Sequence, residues 1–291
     1  MSEPLGIIAG KGRLPIALAR GMRAAGHPVC GVGLDGYYSP EFAGLCDHFK
    51  VASILQIGRW IKICKRHGVK QAVLAGTVEK VQLHDPWRLL RNIPDWRTID
   101  IWYRRARHDK RSSVLLRTLA DELTRSGVEL IDSTRYIPDQ LALEGRMTRN
   151  APKNPEDIVF GWGILEQSVE WEIGQAISVR ERDVIGVEAI EGTDRLIMRS
   201  GELCRRGGWT LLKTASRNHD MRTDVPTIGL KTIELLADQG ASCLAVGAGR
   251  AILLDRPRVL EAAEKAGIAV VGIGPNGPEA SLSMKADTQG G

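Results

Sequence analysis

Lys213, Asp220, Arg222 and Asp224 fall within twelve residues of one another, directly after the apolar run Trp209-Thr210-Leu211-Leu212. A connecting loop has no need of that many charges. A site that holds a metal against a phosphate anion needs both signs at close quarters. In an extended strand, alternate residues face one side, so Asp220, Arg222 and Asp224 would line one wall. At ~3.3 Å per residue the two aspartates would lie roughly 13 Å apart, too far to share one metal unless the backbone bends between them. Pro226 argues against a helix through Asp224 and Val225, because the residue before a proline avoids helical angles. The plain alternative is a surface strand of alternating salt bridges. The chemical reading makes Asp224 the central catalytic or metal-binding carboxylate and Asp220 a second metal or water-orienting group. Arg222 and Lys213 then clamp phosphate.

Two further constellations could meet a phosphate. Gly10-Lys11-Gly12-Arg13-Leu14-Pro15 follows the apolar run Leu5–Ala9 and opens a helical pattern, as a phosphate-cradling turn does. It is not the dinucleotide fingerprint, because Pro15 stands at the third glycine position. The plain reading is a tight turn with proline in the first helical turn. Glu188 and Glu191-Gly192-Thr193-Asp194 precede another helical pattern. Thr193 or Asp194 could simply cap that helix, yet Glu188 and Glu191 add more negative charge than a cap requires.

The elements around these residues alternate. Leu5–Ala9, Val29–Leu34, Phe49–Ala52 and Lys70–Ala75 read as strands, with helical spacing from Ile16 and over Ile57–Arg66. That alternation predicts an α/β chain whose amino-terminal domain is a Rossmann-like parallel sheet with helices on its faces. Ligands there sit beyond the carboxyl ends of the strands, so Gly10, Leu34-Asp35 and Gly76-Thr77 should gather. A helix over Ser112–Ser126 and a strand over Val128–Ile131 complete the domain at about residue 132. Residues 133–146 read as a linker. Residues 147–274 form a second, mixed α/β domain, read as catalytic, with a helix over Ile164–Ile173, a hairpin of Ala176–Val179 with Val184–Glu188, and a strand over Trp209–Leu212. Residues 275–291, rich in Gly, Pro and Ser, read as a mobile tail.

Taken together with Gly174-Gln175, the unbroken string Glu188-Ala189-Ile190-Glu191-Gly192-Thr193-Asp194, the charged run and the amino-terminal Gly-x-Gly-x-Leu-Pro, the chain resembles the UDP-2,3-diacylglucosamine pyrophosphatases of lipid A synthesis, LpxI-type, the branch without a calcineurin-like metal centre. The resemblance runs from about Leu5 to Gly272. It implies Mg2+-dependent hydrolysis of UDP-2,3-diacylglucosamine to UMP and 2,3-diacylglucosamine 1-phosphate, with water attacking the sugar-side phosphorus. It places Gly10–Pro15, Gln175, Glu188, Glu191, Gly192, Thr193 and Asp194 around the substrate; the strand-end position adds Gly76 and Thr77, and the charged run puts Asp224 and Asp220 on the metal. This chain departs from the family pattern at Ser216 (usually proline), His219 (usually glutamine), Glu172 (commonly aspartate) and Gly247 (where Glu-Ala-Gly is the tendency). Such departures leave room for a hydrolase of another nucleotide sugar. A non-catalytic binder of nucleotide sugar or phospholipid is the rival from another class.

Composition fits without deciding. An apolar fraction of 43% and a charged fraction of 26% are those of an ordinary globular protein. Forty basic against thirty-five acidic residues leave a net +5, suited to anionic substrates or an anionic membrane surface. Five scattered cysteines with no Cys-x-x-Cys spacing point to a reducing compartment, and the six histidines show no metal-ligand spacing. No stretch reaches the ~20 apolar residues of a membrane span, and no secretory signal is visible. The expectation is a cytoplasmic protein touching the inner membrane peripherally, with Trp102–Arg111 as a basic, aromatic surface patch. No nucleic-acid motif appears.

Overall fold

The computed structural model describes residues 2–78, 94–101, 103, 112–216, 222 and 225–284. It divides into two units, Met1–Ile137 with Asp220–Asp224, and Pro138–His219 with Val225–Gly291.

The first unit is built on five parallel strands: β1 (Leu5–Ala9), β2 (Val29–Leu34), β3 (His48–Ala52), β4 (Gln71–Ala75) and β5 (Glu129–Leu130), in the order β3-β2-β1-β4-β5. β1 and β2 are buried at every residue, as strands covered on both faces must be, and so read as unbroken apolar runs. Helices α1 (Leu14–Ala24), α2 (Pro40–Gly44), α3 (Ile57–Arg66), α4 (Trp96–Ile101) and α5 (Ser112–Arg125) complete the unit. α3 buries Trp60, Ile61 and Cys64 in a core shared with Ile8, Val32 and Leu123. The strand order reverses direction between β1 and β4, which puts a crevice beyond their carboxyl ends.

The segment expected as a linker contains two single 3-10 turns, Ser133–Tyr136 and Pro138–Gln140. The second unit carries a six-stranded mixed sheet, β6-β13-β11-β9-β7-β8. Its strands are β6 (Gly145–Arg146), β7 (Ala176–Arg180), β8 (Asp183–Val187), β9 (Trp209–Lys213), β11 (Ala241–Gly247) and β13 (Ala269–Ile273). β9, β11 and β13 run parallel, while β6, β7 and β8 pair antiparallel with their neighbours. A separate parallel pair joins β10 (Thr227–Ile228) to β12 (Ile252–Leu253).

Alternation along β9 feeds two cores. Leu211 packs with α7 (Thr193–Leu203), α8 (Leu230–Asp238) and α9 (Arg256–Lys265), while Leu212 faces α6 (Pro155–Glu170). The helix expected over Ile164–Ile173 is α6, and it starts nine residues earlier, at Pro155. Proline in the first turn followed by Glu156 and Asp157 is the start signal. It ends before Glu172, whose positive φ of 57° breaks the helix. Within the segment expected as a tail, residues 278–283 form α10, with Ser281 buried and donating to Glu144. No helix among the described residues is long and apolar enough to cross a membrane.

Candidate functional site

In the first unit, the Gly10–Pro15 turn and Gly76-Thr77 come together at the strand ends. The Gly10 amide donates to the Ala75 carbonyl at 2.8 Å, and Lys11 and Thr77 exchange two backbone hydrogen bonds of 3.0 and 2.9 Å. The approach needs glycine on both sides. A Cβ on Gly10 would lie 2.8 Å from the Thr77 oxygen, and one on Gly76, where φ is +88°, would lie 2.5 Å from the Lys11 oxygen. The Lys11 ammonium sits 5.5 Å from the centre of the Tyr37 ring. α1 then starts with Pro15 in its first turn, and Arg13 at its amino-terminal boundary gives no side-chain cap. Helix amides without a side-chain cap attract an anion.

In the second unit the antiparallel direction of β7 gathers residues that are far apart in sequence. The start of β7 lies beside the ends of both β8 and β9, so Ala176 pairs with Lys213 and accepts from the Glu188 amide at 2.8 Å. Gln175 accepts from the Thr214 amide at 3.0 Å. Gly174 must be glycine, because a Cβ there would lie 2.0 Å from the Glu188 carbonyl oxygen.

The side chains at this sheet end form a chain of contacts. Lys213, only 6% exposed, donates from Nζ to Thr193 Oγ1 at 2.5 Å, and Thr193 donates to Glu188 Oε1 at 2.9 Å. Glu188 is 9% exposed, and its Oε2 is buried with no hydrogen-bond partner among the described residues. The capping alternative therefore does not describe α7. Gly192, with φ +83°, stands at the helix boundary with no side-chain cap, and the Thr193 hydroxyl serves Lys213 and Glu188.

The other carboxylates of the string point elsewhere. Glu191 binds Arg199 at 2.8 Å and accepts from the Ala189 amide. Asp194 pairs with Lys231 at 2.7 Å, a hydrogen bond that raises the lysine's pKa above its ordinary value. Arg222 lies in an exposed turn belonging to the first unit, so the extended geometry does not apply at that residue. Asp220, Asp224, His219 and nearly all of Trp102–Arg111 lie outside the described residues. No cluster of three or more His, Cys, Asp or Glu able to hold a metal occurs among the described residues.

Two residues not singled out by motif hold the loop that leaves β9. Thr214 is fully buried and packs against Gly247, where an added Cβ would lie 2.2 Å from Thr214 Oγ1. Arg250 donates to the Ala215 carbonyl at 3.1 Å, lies 3.8 Å from Glu166, and stacks 5.9 Å from the centre of the Trp162 ring. The Gly247-Ala248-Gly249-Arg250 turn was the available signal, and only its glycine stood out.

The site therefore offers a buried ammonium beside an uncapped helix start, with a carboxylate oxygen free to accept. Such a set holds a phosphoryl oxygen and orients a proton donor. Family comparison matches the LpxI amino-terminal domain at residues 4–140 and the LpxI carboxyl-terminal domain at residues 143–271. A similar curated protein is the UDP-2,3-diacylglucosamine pyrophosphatase LpxI of Caulobacter vibrioides, 29% identical over 282 residues, covering 93% of this chain and 98% of its relative. Among solved structures, the biotin carboxylase subunit of pyruvate carboxylase is 10% identical with a TM-score of 0.23, and the match covers 65% of this chain and 39% of the other. The biotin carboxylase domain of a single-chain bacterial carboxylase gives 15% identity and a TM-score of 0.21, covering 72% of this chain and 56% of the other. The chain thus spans about two fifths to just over half the length of these carboxylases, and likenesses this slight carry no argument.

Proposed function

Because the chain belongs to the LpxI family, matched over both of its domains, we propose that it hydrolyses the pyrophosphate bond of UDP-2,3-diacylglucosamine, adding water to give UMP and 2,3-diacylglucosamine 1-phosphate. The observation that carries the chemistry is the buried Lys213–Thr193–Glu188 contact chain at the end of β9. Lys213 binds a phosphoryl oxygen, and the amides at the start of α7 add positive potential there. The unpartnered Glu188 Oε2 accepts a proton donor, from water or a sugar hydroxyl. The Gly10–Pro15 turn and Gly76-Thr77 of the first unit would take a phosphate of the nucleotide.

Mg2+ dependence belongs to the same proposal. Asp224 and Asp220 would hold the ion through carboxylate oxygens, the donors it prefers; in the second unit, Glu188 Oε2, without a hydrogen-bond partner among the described residues, is an oxygen of the same kind. Bound there, the ion would neutralise charge on the phosphoryl oxygens. Arg222 supplies a further cation. Acyl chains on the substrate imply work at the cytoplasmic face of the inner membrane as a peripheral protein.

The test is UMP release from UDP-2,3-diacylglucosamine in mild detergent, with and without Mg2+, by wild type, Lys213→Met and Asp224→Ala. Loss of one preorganised contact to the developing charge lowers kcat about 10²–10³-fold. Substrate bound without UMP release would favour a non-catalytic binder. Faster turnover of unacylated UDP-sugars would move the specificity to another nucleotide sugar.

A further inference from the structure

Away from the β1 and β4 ends, the first unit carries a groove of ≈ 690 Å³ between α3, α4 and the end of α5. Five cations line it: Lys62, Lys65 and Arg66 from α3, Arg97 from α4, and Arg125 from α5. Glu122 neutralises one charge, binding Arg97 at 3.1 Å and Arg125 at 3.2 Å. Among the described residues no carboxylate pairs with Lys62, Lys65 or Arg66. These three stand three and four residues apart on one face of α3, where like charges repel. The opposite face of α3 is fixed in the core by Trp60 and Cys64, so the cations are held together at the surface.

Beside this groove α4 buries none of its residues. Trp96 is 86% exposed, Ile99 41% and Tyr103, just beyond the helix, 64%. Tryptophan and tyrosine settle at the headgroup level of a bilayer, and an aliphatic side chain next to them adds apolar contact that base stacking would not use. Cations meeting headgroup phosphates complete such a surface.

We propose that this groove and the exposed side chains of α4 form the face that rests on an anionic phospholipid bilayer, with Lys62, Lys65 and Arg66 meeting headgroup phosphates. The inference deepens the peripheral-membrane reading above and rests on it, while standing apart from the hydrolytic one. The bilayer meets a patch whose screening length falls from ~10 Å at 0.1 M salt to ~3 Å at 1 M, so the contact weakens steeply with salt.

The experiment is flotation of the full chain with vesicles of phosphatidylcholine alone or mixed with phosphatidylglycerol, at low and high salt. Wild type should float with the anionic vesicles only, and less so at high salt. Lys62→Ala with Lys65→Ala should weaken partitioning about 25-fold, at about fivefold per cation. Lys62→Arg with Lys65→Arg should retain it, and Trp96→Ala should weaken it without altering the salt dependence. Hydrolysis of detergent-dispersed substrate should be the same in all of these variants. Equal flotation of the double alanine variant, equal flotation with uncharged vesicles, or displacement of the vesicles by a single-stranded oligonucleotide would overturn the proposal. Wild type that floats with no vesicle would remove the peripheral reading and this inference together. Flotation as expected without any UMP release would remove only the hydrolytic reading.

Discussion

Replacing Gly247 with alanine tests how the loop after β9 is held. The new Cβ would lie 2.2 Å from Thr214 Oγ1, about 1.2 Å inside the 3.4 Å at which ordinary contact begins. Arg250 Cβ at 3.1 Å and Thr214 Cβ at 3.2 Å block retreat on either side. Thr214, fully buried, can relieve the clash only by turning its side chain, which gives up the 3.1 Å hydrogen bond to the Ala215 carbonyl. That bond contributes about 1 kcal/mol, and an unfavourable rotamer costs about 0.5–1.5 kcal/mol. The sum is about 2 kcal/mol, within the range of measured overpacking. It corresponds to a fall of about 4–8 °C in melting temperature for a unit of this size. Thr214→Ala alone should cost about 1 kcal/mol, because the Ala215 carbonyl keeps its bond from Arg250. In the double variant the clashing oxygen is gone, so the costs should fall short of adding by about 1 kcal/mol. Denaturant unfolding of the four proteins measures the cycle. Gly247→Ala within about 0.5 kcal/mol of wild type, or strictly additive costs, would refute the reasoning.

Gly76→Ala, with φ +88° and the Lys11 oxygen 2.5 Å from its Cβ, should part the Lys11–Thr77 bridge and weaken UDP-sugar binding at least tenfold by calorimetry, about 1.4 kcal/mol; unchanged affinity would remove this turn from the site. Asp47 accepts from the Val29 amide at 2.8 Å and pairs with Arg23 at 3.1 Å, which together hold its carboxyl below the ordinary value of 3.8. A carboxyl depressed in the folded state contributes stability that is complete above that value and lost as pH falls through the folded one. Asp47→Asn should therefore flatten the acid limb of a stability–pH curve below about pH 4, and an unchanged limb would contradict the assignment. Burial pushes the Cys30 thiol up to about 11 and those of Cys64 and Cys243 up to about 12. Iodoacetamide at pH 8 should leave all three unlabelled until the chain is denatured, as mass mapping would show; native labelling would contradict their burial.

The sequence made the first sheet legible because a parallel sheet covered on both faces writes itself as unbroken apolar runs. Leu5–Ala9 and Gln71–Ala75 needed no partner to be recognised. The hairpin read as Ala176–Val179 with Val184–Glu188 forms as Ala176–Arg180 with Asp183–Val187. The start of α6 was missed because its first turn is acidic and proline-led while the apolar spacing begins later. α2 escaped because five residues around Phe42 show no period. In the site, the string from Glu188 to Asp194 announced a cluster of charge, yet it could not tell which carboxylate faces inward. That choice is made by Arg199 and Lys231, which take Glu191 and Asp194 and leave Glu188 to Thr193. Contacts of this kind depend on where antiparallel β7 begins, and no spacing along the chain records it.

The indirect link between Lys213 and Glu188 bears on what the site can bind. A lysine and a glutamate in direct contact at this burial would largely cancel each other and hold no third charge. Here the Thr193 hydroxyl stands between them, accepting from one and donating to the other. The ammonium has three donors, and among the described residues the bond to Thr193 is the one it makes. Glu188 likewise commits one oxygen and keeps Oε2 open. Both charges are thus oriented by a neutral group and neither is spent. A phosphoryl oxygen on the lysine side and a proton donor on the glutamate side would complete the unmade hydrogen bonds. The same arrangement commits the Thr193 hydroxyl to Lys213 and Glu188, and the cap position of α7 falls to Gly192, which has no side chain to serve the helix amides.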